Sequence, residues 1–134
     1  MTSTEAKDKL QAAYQQLLDN DAHLLNVGVG EQSATSKLTQ YVQNEFTDWD
    51  VDAEYNRNGK YVKKLNGASV RPDIIVHHRG TDDNLIVIEA KKAGYRGEDN
   101  DEEKLKAYKS ELGYKFAYKI ILGSATSPIQ EVIG

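Results

Sequence analysis

The sequence has no cysteine. Disulfides and thiolate metal sites are therefore excluded, and a reducing cytoplasm suits the chain. No apolar run approaches the ~20 residues of a membrane-spanning helix. The N-terminus also lacks the charged-then-apolar pattern of a secretory signal. The expectation is a soluble cytoplasmic protein with no membrane partner. Histidine is scarce as well, with three in 134 residues. His77 and His78 alternate to opposite faces of a strand, so they make no zinc pair, and His23 stands alone near a helix end. His77 is on the Asp73 face but about 13 Å further along, a packing or substrate-edge position. Gly28 and Gly30 are followed by no Lys-Ser/Thr at P-loop spacing and preceded by no strand; they read as a turn or hinge. There is no helix-turn-helix, no zinc finger and no internal repeat. A chain of 134 residues supports one domain, 1–134, with a real core.

Positive charge is in deficit overall, with a formal net charge of −4. That weighs against a nucleic-acid binder. Its distribution weighs the other way. Residues 55–97 hold nine Lys/Arg and four Asp/Glu, hence +5, and the remainder of the chain carries −9. Such an excess is either solvated surface or the footprint of a phosphate backbone.

Residues 4–25 have a helical period, with Leu10, Ala13, Tyr14, Leu17, Leu18, Leu24 and Leu25 on one stripe. Ser3 or Thr4 is the expected cap, and residues 26–30 the exit. Residues 31–46 predict a second helix with Ala34, Leu38, Tyr41, Val42 and Phe46 on its apolar face. Glu31 lies seven residues before Leu38, near the same face. Its carboxylate is either a first-turn charge favoured by the helix dipole or a group aimed at a site. Residues 49–56 alternate as a strand. Asn58-Gly59 and Asn66-Gly67 are hairpin signals, and residues 60–65 between them form a short basic strand or arm. Arg57, Lys60, Lys63 and Lys64 around Tyr61 suit phosphate contact, as do Arg71 and Lys92 flanking the central stretch. Lysines guarding an edge strand look the same.

After a loop at 93–98, the acidic run 98–103 precedes Lys104, Lys106 and Lys109. Asp99 or Asn100 caps this third helix, whose charge order the dipole favours. Leu105, Tyr108 and Leu112 form its buried stripe, and Gly113 ends it. The acids are thereby assigned to a helix start, not to a metal site. Residues 114–122 alternate as a strand. Strand–helix–strand order from 85 to 122 implies a right-handed crossover and a parallel pair. The tail from Gly123 is too short for more than a turn of helix. The order α-α-β-β-β-α-β predicts an α/β fold, a central mixed sheet flanked by helices.

The organising stretch is 71–92, two apolar strands joined by a polar turn at 79–84. In the second strand Leu85, Val87, Glu89 and Lys91 share one face. Asp73 shares a face with Ile75 and His77. If the strands pair through the turn, Asp73 and Glu89 meet at one end of the sheet beside Lys91. Two hard carboxylates with no soft ligand select Mg²⁺ or Mn²⁺. Such an ion beside a phosphate lowers the pKa of a bound water and neutralises developing charge. Lys91 is placed to orient that water or stabilise the transition state. The competing reading is a salt bridge among the three at the sheet rim. Glu54 and Arg57 either support the site or form an end-of-strand pair.

Pro72-Asp73, fifteen intervening residues and then Glu89-Ala90-Lys91 resemble the PD-(D/E)xK nuclease superfamily, which holds many restriction endonucleases, resolvases and repair nucleases. The nearer resemblance is to small members whose strands read like EYNR, RPDIIVHRRG and NLLVIEVKK. Here these are Glu54-Tyr55-Asn56-Arg57, residues 71–80 and residues 84–92. The likeness covers about 31–122. It implies a restriction endonuclease-like αβββαβ core, to which 4–25 adds an N-terminal helix. It implies Mg²⁺ or Mn²⁺ held by Asp73, Glu89 and the Ala90 carbonyl, with Glu31 matching the acid that often joins from the first core helix. It implies Lys91 in catalysis and hydrolysis of DNA phosphodiesters. With little chain left for base reading, recognition would come from DNA structure, a homodimer or a partner subunit. The alternative is a non-catalytic nuclease-fold module that binds nucleic acid or protein. Loss of Asp73, Glu89 or Lys91 would be its sign, and all three are present.

Overall fold

A computed structural model describes residues 1–26, 29–58, 61–65, 67–94, 101–124 and 126–134. Gly28, Gly59, Lys60, Asn66, Asp99, Asn100 and residues 95–98 of the expected loop lie outside them. Helix α1 (Ser3–Asp21) begins on a capping box: the Thr2 hydroxyl accepts from the Glu5 N–H at 3.1 Å, and the Glu5 carboxylate accepts from the Thr2 N–H at 3.1 Å. The cap is therefore Thr2 and not Ser3 or Thr4, because Glu5 stands where a box acid is needed. The helix stops at Asp21, and Ala22–Leu25 form a 3-10 turn. Leu24 and Leu25 pack partly buried beside the core, and Leu18 is exposed, so the stripe is narrower than expected. Helix α2 (Glu31–Glu45) buries Ala34, Leu38 and Val42.

The strands are β1 (Asp50–Ala53), β2 (Arg57–Asn58), β3 (Tyr61–Val62), β4 (Lys64–Leu65), β5 (Ala68–Ser69), β6 (Ile74–His77), β7 (Asn84–Lys92), β8 (Phe116–Leu122) and β9 (Ile129–Glu131), with α3 (Asp101–Leu112) before β8. Five form one mixed sheet in the order β1-β6-β7-β8-β9. The β6–β7 hairpin is antiparallel, and β7 and β8 are parallel across α3, as the crossover required. Antiparallel pairs flank both Asn-Gly signals: Asn58 pairs with Tyr61, and Leu65 with Ala68. Gly67 has φ +81°, the left-handed region that glycine enters freely.

Two expectations need correction. β1 ends at Ala53, because Glu54 takes a left-handed φ of +51° and leaves the strand. The tail is not a bare turn either: β9 pairs antiparallel with β8 and closes the sheet edge. A three-residue strand with one core side chain, Ile129, has too short a pattern to show a period.

Helices cover both faces of the sheet. Ile74, Val76, Ile86, Ile88 and Ala90 pack with α1 and α2. Ile75, Val87 and Ala117 pack with Leu105 and Tyr108 of α3 and with Leu65 of the hairpins. β7 is thus buried on both faces, which is why its sequence is almost uniformly apolar until Glu89. No helix among the described residues is long and apolar enough to cross a membrane.

Candidate functional site

The β6–β7 register sets Ile74 opposite Ile88. One step further along, Asp73 meets Glu89. The Asp73 Oδ2 atom accepts from the Ala90 N–H at 2.9 Å, which fixes the carboxylate against β7. Glu89 is only 4% exposed. Burial, then the neighbouring Asp73 charge, push its carboxyl up to about 8, with Lys104 opposing. The Glu89 Oε1 atom is buried and has no hydrogen-bond partner. A native interior rarely leaves a carboxylate oxygen in that condition unless something else is to meet it.

Helix α3 supplies the other side. Lys104 Nζ lies 3.7 Å from Glu89 Oε1 and 5.9 Å from the Tyr108 ring centre. The Tyr108 hydroxyl is buried without a hydrogen-bond partner. Burial, then Glu89, raise its pKa far above the ordinary phenol range. Asp101 pairs with Lys119 at 3.9 Å and adds to the negative potential on Glu89. Sequence reasoning assigned the acids and Lys104 to helix-end electrostatics alone. The missed signal was spacing: Lys104 is four residues before Tyr108 on the buried side of α3.

The other expected ligands are partly displaced. Among the described residues no three of His, Cys, Asp and Glu converge to hold a metal ion. Glu31 therefore does not complete a three-acid set. Its carboxylate accepts from the Lys92 N–H at 3.3 Å. It lines an open cleft of about 150 Å³ with Gln32, Thr35, Glu54 and Asp73. Ala90 is buried, and its amide is the donor to Asp73. Lys91 is half-buried, on the Glu89 face of β7. The donor set at the centre is two hard carboxylates, one with an orphaned oxygen. That fits Mg²⁺ or Mn²⁺, since Mg²⁺ is commonly bound by one or two carboxylates and keeps several waters.

The basic residues divide. Arg57, Lys64 and Arg71 are exposed, and Lys60 lies outside the described residues. Lys92 is not available for phosphate. It alternates to the opposite face from Lys91, and its ammonium donates to the Asn26 carbonyl at 2.8 Å and to that of Val29. Lys63 is also not on the surface. It is 0% exposed, donates to the Tyr114 hydroxyl at 2.7 Å, and lies 5.4 Å from both the Tyr55 and Tyr114 ring centres. Burial lowers its pKa to about 8. The hairpins turn this residue inward because its backbone is clamped between them: its N–H donates to Asn56 and its carbonyl accepts from Val70.

A second polar network lies toward the other end of β6. His77 is buried with its Nε2 at 2.7 Å from Asp52 Oδ2, and Arg79 donates twice to the same carboxylate at 3.0 and 2.7 Å. Burial pushes Asp52 up, but the hydrogen bonds from Arg79 and His77 outweigh it and hold the carboxyl low. His77 itself is lowered by burial, against the pull of Asp52. It packs edge-on against Tyr55 at 4.7 Å between ring centres, a packing role. Comparison with family models, curated proteins and solved structures finds no match to this chain, and the site is known by its own residues.

Proposed function

We propose that this protein is a small Mg²⁺- or Mn²⁺-dependent phosphodiesterase that cuts nucleic acid, in the first place DNA. One observation carries the reading. Asp73, at the start of β6, and Glu89 of β7 are brought together at one end of the sheet, with a buried oxygen of Glu89 left unmet. Two carboxylates in such a place repel each other unless a proton or a cation lies between them. The resemblance to the PD-(D/E)xK nucleases supports the same roles.

Asp73 and Glu89 hold the ion. The Ala90 amide keeps Asp73 aimed at it. A bound divalent ion supplies a water of lowered pKa and neutralises charge on the phosphate oxygens. Lys91, projecting from the same face two residues beyond Glu89, orients the attacking water and stabilises the added negative charge. Exposed Arg57, Lys64 and Arg71 hold the backbone of the substrate, which carries no sequence information by itself. Cutting both strands of a duplex needs two such sites, and a homodimer or a partner subunit would supply the second.

The test is cleavage of supercoiled, linear, branched and single-stranded DNA and of RNA, with Mg²⁺, Mn²⁺ or EDTA. Ion-dependent cutting by the wild type, lost in Asp73→Ala and in Lys91→Ala, supports the assignment. A second reading has an observation of its own: no third acid joins the pair among the described residues. It is a non-catalytic module of the same fold that binds nucleic acid or protein. Binding to nucleic acid with no cleavage of any substrate, by folded wild type and variants alike, selects it.

A further inference from the structure

The α3 side of the site brings a cation of its own to Glu89. Lys104 Nζ lies 3.7 Å from Oε1, the same oxygen that no donor satisfies. At that separation the ammonium makes no hydrogen bond to it. The side chain is 39% exposed. Its ammonium lies over the Tyr108 ring, 5.9 Å from the ring centre, and a long flexible stem lets such a head group move outward.

A divalent ion bound to Oε1 lies about 2.1 Å from it. The ammonium and the ion would then be less than about 6 Å apart, in surroundings where water screens them poorly. At that range they repel each other. We propose that Lys104 is a positioning residue that the ion displaces. Without the ion it rests beside the Glu89 carboxyl and the Tyr108 ring. With the ion bound it turns outward, where it meets the phosphate of the substrate. This rests on the reading of Asp73 and Glu89 as ion ligands. Ion and phosphate binding are thereby coupled, because the ion releases a cation that the phosphate uses, and the coupling is reciprocal.

The test is NMR of the full chain labelled with ¹³C at lysine Cε, titrated with Mg²⁺ alone, beside calorimetry of the same titration. The Lys104 resonance is assigned by its loss in Lys104→Arg, or in Lys104→Gln should the arginine variant not fold. Mg²⁺ is expected to move this resonance to the position of a solvated lysine. The resonance of Lys92, tied to the Asn26 and Val29 carbonyls, is expected to stay. Calorimetric binding with an unmoved Lys104 resonance overturns the displacement and leaves the ion site standing. Absence of Mg²⁺ binding overturns both.

Discussion

Glu89→Gln is expected to make the ion-free protein more stable than wild type at alkaline pH and nearly equal to it at pH 5. Glu89 is buried and its folded pKa is raised from 4.5 to about 8. Between those values the folded protein keeps a proton that the unfolded chain has released. Stability from this group is therefore full below about pH 4.5 and is lost as pH rises through about 8. At about 1.4 kcal/mol per pH decade the displacement sets a ceiling near 5 kcal/mol. Relaxation and water entry lower the effective penalty, and ~3 kcal/mol is the expected loss. That is a large share of the ~5–15 kcal/mol that stabilises a domain. Glutamine has nearly the same shape and does not titrate. The assay is urea unfolding in EDTA at intervals from pH 5 to 9, for wild type and variant. Lys63 also changes charge near the top of this range, but it is common to both proteins and cancels in their difference. The difference should grow from about zero to ~3 kcal/mol. Parallel curves across the range would refute the reasoning, because they would mean that Glu89 is not held out of water in a shared carboxylate site.

Other expectations follow from the same structure. Lys63→Met with Tyr114→Phe removes a buried ammonium and its hydrogen-bond partner together, and should stabilise by ~1–3 kcal/mol at pH 7 in urea unfolding. Lys63 has a folded pKa lowered from 10.5 to about 8, so its penalty is full below about pH 8 and fades towards 10.5; a gain that does not shrink over that window would contradict the assignment. Arg71→Ala or Lys64→Ala should weaken DNA binding in fluorescence anisotropy and reduce the salt slope by ~1 each. Lys92→Met should leave that slope unchanged and cost ~1–2 kcal/mol of stability, with a reduced slope arguing that Lys92 reaches phosphate after all. Ile88→Ala should cost ~2–5 kcal/mol, since Ile88 is fully buried between β6 and β8 on the α1–α2 face; a loss below ~1 kcal/mol would argue against that packing.

That Asp73 and Glu89 meet at one end of the sheet was legible, because a hairpin brings the start of its first strand beside the end of its second; the register was not, since unbroken pairing from His77 opposite Asn84 would set Asp73 opposite Ile88, and the shift between Val76 and His77 brings it to Glu89. The parallel β7–β8 pair was legible for a similar reason, since a helix between two strands leaves little choice of hand. The fate of Lys92 was also there to be read. Strict alternation puts it on the face opposite Lys91, against the α2 layer. Lys63 was not legible. Its burial depends on how two hairpins fold back over α3 and place it between Tyr55 and Tyr114, residues 8 and 51 positions away in the chain. No local pattern encodes that. Lys104 and Tyr108 carried a local signal, four-residue spacing, but its meaning depended on which β7 residue α3 would cover. Glu31 was legible in part. Helical phase brought it to the cleft that Asp73 lines, and phase alone could not show that its carboxylate would accept from the Lys92 amide.

Calorimetric titration with Mg²⁺ at pH 7, in buffers of different ionisation enthalpy, tests the carboxylate pair most directly. If Asp73 and Glu89 hold the ion, the wild type binds it saturably and releases about one proton, because a carboxyl with a pKa of about 8 is still protonated at pH 7 and has to ionise to bind. Asp73→Asn and Glu89→Gln, both folded, should abolish the binding and the proton release together. Saturable binding that survives both substitutions, or none in the wild type, would contradict it.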